Sequence, residues 1–112
     1  MNTLEAITPV FAQEVSATLA SADHDVLAQT IPCMRIRRCS HDVEANAGYI
    51  YLEVPPYPVP EVHKEAAAVA ETVVFGEPHW FNVDVDHEGN ALGIEILGRE
   101  DVVSQLKRAG AL

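Results

Sequence analysis

Basic residues are scarce in this chain: seven lysines and arginines stand against seventeen acids, for a net charge of −10 over 112 residues. The deficit is spread along the sequence, −4 over residues 1–56 (seven acids, three bases) and −6 over 57–112 (ten acids, four bases). No segment is a basic platform, which argues against direct binding of nucleic acid, whose phosphates need clustered cations. Long apolar runs are also missing; none approaches the roughly 20 residues of a membrane-spanning helix. No basic stretch followed by an apolar one opens the chain, so no export signal and a cytoplasmic location are expected. Cysteine is limited to Cys33 and Cys39. On a single strand they would lie about 20 Å apart, beyond disulfide reach, and they read as reduced thiols.

Catalytic signatures are absent too. Ser16, Ser21, Ser40 and Ser104 lie in no G-x-S-x-G context, and there is neither a Gly-rich phosphate loop nor an H-E-x-x-H. No enzyme, no catalytic residue and no cofactor is expected.

The strongest pattern present is the hairpin-like stretch 80–97. Phe81, Val83 and Val85 alternate with Asn82, Asp84 and Asp86, and Leu92, Ile94 and Ile96 resume the period after His87, Glu88, Gly89 and Asn90. Period two marks a strand with one wet face, and Gly and Asn suit a tight reversal. Upstream, Leu4, Ile7, Phe11, Val15, Leu19, Ala22 and Val26 form a helical stripe with three- or four-residue spacing. Pro9 fits a first turn with Thr8 as N-cap, and Ser21 or Asp23 would cap a second helix ending near Thr30. Pro32 begins an extended run in which Met34 and Ile36 face one way, Arg35 and Arg37 the other, ending near Cys39.

Residues 40–48 read as a turn and 49–54 as a second strand, with Ile50 and Leu52 on one face and Tyr49, Tyr51 and Glu53 on the other. Pro55-Pro56-Tyr57-Pro58-Val59-Pro60 predicts a stiff extended spacer. A third strand is expected over 69–75, with a short helical turn possible before it, and 76–78 as a turn. Residues 98–110 predict a helix: Glu100 and Asp101 in its first turn, Lys107 and Arg108 in its last, Gly110 as its stop. Val102, Val103, Leu106 and Ala109 would make its buried stripe.

Two metal hypotheses arise. Asp84, Asp86, Glu88, Gly89 and Glu95 fall at positions 1, 3, 5, 6 and 12 of an EF-hand-like calcium loop. Such a loop needs helical flanks, whereas these alternate as strands, so the carboxylates read as a solvated ridge. His24, His41, His63, His79 and His87 with Cys33 and Cys39 have no standard zinc spacing. Arg35, Arg37 and Arg38 hold three of the seven bases; they would pair with acids of a neighbouring strand or receive an anionic ligand.

Three stretches, His41-Asp42-Val43-Glu44-Ala45-Asn46-Ala47-Gly48-Tyr49-Ile50-Tyr51-Leu52, Ala70-Glu71-Thr72, and Val83 through Leu97 ending Gly93-Ile94-Glu95-Ile96-Leu97, together resemble a small bacterial domain-of-unknown-function family. Its pattern runs Y-D-x-E-A-D-A-L-Y-I-x-L, then A-E-T, then V-D-x-D-x-x-G-x-x-x-G-I-E-I-L. The resemblance covers about Ile36 to Leu106, with His41, Asn46 and Gly48 departing from the pattern as in a divergent member. It implies a four-stranded antiparallel meander closed by a helix, and it implies no established activity or catalytic residue. Some members are encoded beside small toxin-like proteins.

The expected fold is therefore α+β: a four-stranded antiparallel β-meander with a C-terminal helix (31–112) and an N-terminal helical extension packed on it (1–30), one compact domain overall. The expected function is a non-catalytic protein-interaction module, antitoxin-like or an accessory regulator, that self-associates, because one helix covers little of a sheet. The alternatives are a metal-binding protein using the acidic hairpin and an acidic decoy of a nucleic-acid-binding protein.

Overall fold

The computed structural model describes residues 2–54 and 69–112. The proline-rich spacer and the helical turn expected over 61–68 lie outside the described residues, as does His63.

The amino-terminal stripe folds as three helices rather than two: α1 (Leu4–Ile7), α2 (Pro9–Ser21) and α3 (Asp25–Thr30), followed by a 3₁₀ turn at Ile31–Cys33. Pro9 occupies the first turn of α2, as its fixed φ and missing N–H allow. Thr8 precedes it, but its hydroxyl donates backward to the Leu4 carbonyl (3.1 Å) instead of capping α2. Neither Ser21 nor Asp23 caps α3; His24 stands at that position, without a side-chain capping bond. The break at residues 22–24 rotates the stripe, so Val26 is exposed and Leu27, Ala28 and Ile31 enter the core in its place. Leu4, Phe11, Val15 and Leu19 are buried as expected.

The sheet has five strands, one more than the expected four: β1 (Ile36–Asp42), β2 (Ala47–Leu52), β3 (Glu71–Phe75), β4 (Phe81–Val85) and β5 (Ala91–Leu97). All pairs are antiparallel, but the order is β1-β2-β5-β4-β3, not that of a meander. β2 pairs with β5, placing Ile50 opposite Ile94 and Gly48 opposite Ile96. The physical reason is burial. The most apolar strand, β5, takes the centre, where both of its edges are hydrogen-bonded. β3, exposed at Glu71, Thr72 and Val74, takes an outer position.

β1 starts four residues later than the expected run, whose first residues form the 3₁₀ turn instead, and continues to Asp42. Ile36 pairs with Leu52 and Arg38 with Tyr51, so Arg37 is an extra residue, a β-bulge. The bulge resets the alternation: Cys39 turns toward the core and Arg38 away from it. The 86–90 turn closes β4 onto β5 with Gly89 at φ 86°, a conformation glycine adopts without Cβ strain.

After β5, α4 (Glu100–Arg108) carries acids in its first turn and bases in its last, complementing the helix dipole. Val102, Val103 and Leu106 are buried; Ala109 is exposed, and Ala111, beyond Gly110, packs on the core instead. Phe11 of α2 meets Phe81 of β4 edge-to-face at 5.7 Å, which places the helices and the inward side chains of the sheet in one core. No helix among the described residues is long and apolar enough to cross a membrane.

Candidate functional site

The acidic hairpin does not gather its carboxylates. Asp84 Oδ2 accepts from the Tyr49 hydroxyl (2.6 Å) and Oδ1 from the Thr72 hydroxyl (2.6 Å). Asp86 folds back on its own turn, where Oδ1 accepts from the Glu88 and Asn90 backbone N–H groups (2.9 and 2.8 Å). Glu95 accepts from the Asn82 amide (2.9 Å), and Glu88 stands exposed at the turn. The flanks are strands, and among the described residues no three His, Cys, Asp or Glu side chains are placed to share a metal ion. Cys33 and Cys39 are both free thiols, one exposed in the 3₁₀ turn and one half-buried in β1.

The Tyr49–Asp84–Thr72 chain runs across the face of the sheet opposite the helices. Gly93 makes it possible: the Tyr49 ring lies over Gly93, where an added Cβ would come within 2.2 Å of a ring carbon. Burial pushes the Tyr49 phenol up from its ordinary value, and its hydrogen bond to the Asp84 carboxylate adds to the rise. Beside it the Tyr51 ring lies tilted at 52° with its centroid 4.5 Å away, and the Arg38 guanidinium lies 3.7 Å above the Tyr51 ring. Of the expected arginine pairings with acids, Arg35 lies 3.9 Å from Glu53.

Sequence reasoning passed over a second polar assembly. Arg99, just before α4, sends two parallel hydrogen bonds to Glu14 of α2 (2.9 and 2.8 Å) and two to Asp101 (3.0 Å each). A further bond reaches the His79 carbonyl, and His79 Nδ1 lies 2.8 Å from Glu14. Arg99 is 14% exposed and stacks 5.4 Å from the Phe11 ring, so the fork is largely shielded from water. Burial raises the Glu14 carboxyl, but the hydrogen bonds from Arg99 and His79 outweigh it and hold it below the usual value. The bond from Arg99 lowers Asp101 likewise, and bonds to Asp101 and Glu14 push the guanidinium up. Both Glu14 oxygens are engaged, so the group ties α2, the β3–β4 loop and α4 together. Its members are up to 85 residues apart, and no local pattern announces them.

The outer strand β3 and the loop after it expose apolar surface. Val74 is 68% exposed, Val69 44% and Trp80 46%. Trp80 has φ 51°, the left-handed region that a bulky residue rarely adopts. It is held there by its N–H to the Gly76 carbonyl (3.0 Å) and by the Leu97 N–H donating to its own carbonyl (2.9 Å).

Comparison with known proteins yields no match: no family model, no curated protein and no solved structure is significantly similar to the chain.

Proposed function

We propose that the chain is a non-catalytic protein-interaction module that associates with a second copy of itself along β3. The observation that carries this reading is the outer strand itself. Edge strands present unpaired N–H and C=O groups, and proteins blunt them with lysine, proline or bulges. Glu71–Phe75 carries one charge, at its first residue, and keeps Val74 in water. An antiparallel edge can pair with its own copy about a two-fold axis, which satisfies both rows of backbone groups at once. Val74 of each copy would then meet near the axis, with Val69 and the strained Trp80 towards the two ends of the strand.

Light scattering from micromolar to several hundred micromolar protein tests this directly. A mass rising to that of two chains is expected, and Val74→Lys is expected to hold the protein at one chain. A wild-type mass that stays at one chain over the whole range rejects the reading.

The family resemblance, taken as kinship with a divergent member, adds an antitoxin-like or accessory regulatory role to this module. The metal-binding reading finds no favour in the placement of Asp84, Asp86, Glu88 and Glu95, three of which are hydrogen-bonded within the fold. The decoy reading rests on net charge alone.

A further inference from the structure

Trp80 is the chain's one tryptophan, and its placement is unfavourable on two counts. Its φ of 51° strains any residue with a Cβ, and its side chain, 46% exposed, keeps apolar surface in water. Backbone strain persists only where the surroundings hold it. Here the Trp80 N–H and carbonyl are tied to Gly76 and Leu97. The preceding residue, His79, meets Glu14 of α2 with its ring (2.8 Å) and Arg99 with its carbonyl. The loop that presents the indole is therefore fastened to the helices on one side and to the sheet on the other.

Three of the seven large apolar side chains exposed among the described residues are Val69, Val74 and Trp80. Val69 stands two residues before β3, Val74 lies within it, and Trp80 is one hydrogen bond away from Gly76, the residue after it. A strand flanked by an apolar side chain at each end is self-complementary about a two-fold axis. When Glu71–Phe75 pairs antiparallel with its own copy, centred on Val73, Glu71 of each chain faces Phe75 of the other. Val69 of one copy then runs alongside the 76–77 backbone of the second, next to Trp80. The same contact recurs at the other end, as in any isologous interface. Gly76 carries no side chain at this point, and a Cβ added there would meet nothing within 4 Å, which leaves room for the indole to reach the edge.

We infer that Trp80 is the anchor of the two-chain assembly, packing on Val69 of the second copy at both ends of the paired strands. The inference rests on the self-association reading and deepens it. Main-chain pairing along β3 supplies bonds that any strand could make, whereas the indole selects a copy that brings Val69 in the antiparallel register. Tryptophan dominates contacts of this kind, because a large rigid ring sheds much water and loses little freedom. The fastened loop sets the ring in place before the second copy arrives, so less ordering accompanies association.

Light scattering and Trp80 emission, followed in one dilution series of the full chain, test the contact. The emission is expected to move to shorter wavelength as the mass rises, since the one tryptophan leaves water on pairing. Trp80→Asn puts in a residue that tolerates positive φ and is expected to raise the dissociation constant about tenfold or more. Val69→Asn, at an exposed position before the strand, is expected to do the same even if Trp80→Asn fails to fold. Because the two side chains meet only across the interface, the double variant is expected to dimerise little more weakly than either single one. Their effects on the melting of the diluted single chain are expected to add. A wild-type mass fixed at one chain rejects the self-association reading and this contact with it. Three results leave the dimer standing and overturn the anchor alone: an emission that does not move on dimerisation, a folded Trp80→Asn or Val69→Asn protein that dimerises as the wild type does, or dimerisation losses that simply add.

Discussion

At the scale of single residues, Gly93 and Tyr49 are coupled by close contact. Gly93→Ala drives a methyl group into the Tyr49 ring and is expected to cost about 1–3 kcal/mol in urea unfolding, the scale of overpacking. Tyr49→Leu in the same chain, which removes the ring, is expected to recover part of that loss. If Gly93→Ala costs the same with and without the ring, the contact is not the cause. The phenol gives a second test. Its folded value is raised, so its contribution to stability is complete below the ordinary value of 10 and declines as pH climbs past it. An alkaline loss of stability that is absent in Tyr49→Phe is the expected signature.

The two thiols part company in the same way. Cys33 is exposed, whereas burial pushes Cys39 up to about 11. Iodoacetamide at neutral pH is expected to label Cys33 in the native protein and Cys39 only on unfolding, because the thiolate is the reactive form. Mass spectrometry showing equal labelling of both would contradict the half-buried place of Cys39 in β1.

At the scale of elements, Arg99 decides how α4 meets the rest. Leaving Glu14 without its fork is expected to make Arg99→Ala cost about 2–3 kcal/mol, less than a fully buried pair because both partners keep some water. Glu14 and Asp101 have lowered values, so their contribution is present above the ordinary carboxylate range, near 4–4.5, and is lost as pH falls through and below it. Acid unfolding monitored by circular dichroism is expected to be shallower in Glu14→Gln than in the wild type. An unchanged acid transition would mean that the ion pairs do not feed stability.

At the scale of the whole molecule, the two ends of the sheet are chemically unlike. One ends at β1, with its bulge and its arginines. The other ends at β3, with a single acid and exposed valines. The loss of dimer expected for Val74→Lys belongs to the second end and should leave the first untouched.

The amino-acid order by itself determined the hairpin strands and the C-terminal helix. Alternation sets the inward face of β4 and of Ile94 and Ile96 in β5, whereas a register shift puts Ala91 rather than the expected Leu92 into the core; the acids and bases at its two ends mark α4, because strand period and helix dipole act over one or two turns of chain. The tertiary structure alone decided the rest. Which strand lies beside β2 depends on how much of each the core must bury, and the Glu14–Arg99 fork joins groups 85 residues apart. The rotation of the stripe that exposes Val26, and the bulge that makes Arg37 an extra residue of β1, likewise follow from how distant segments fit. Local periodicity carries the direction of a side chain but not the identity of what it meets, since that is fixed only when the whole chain closes on one core.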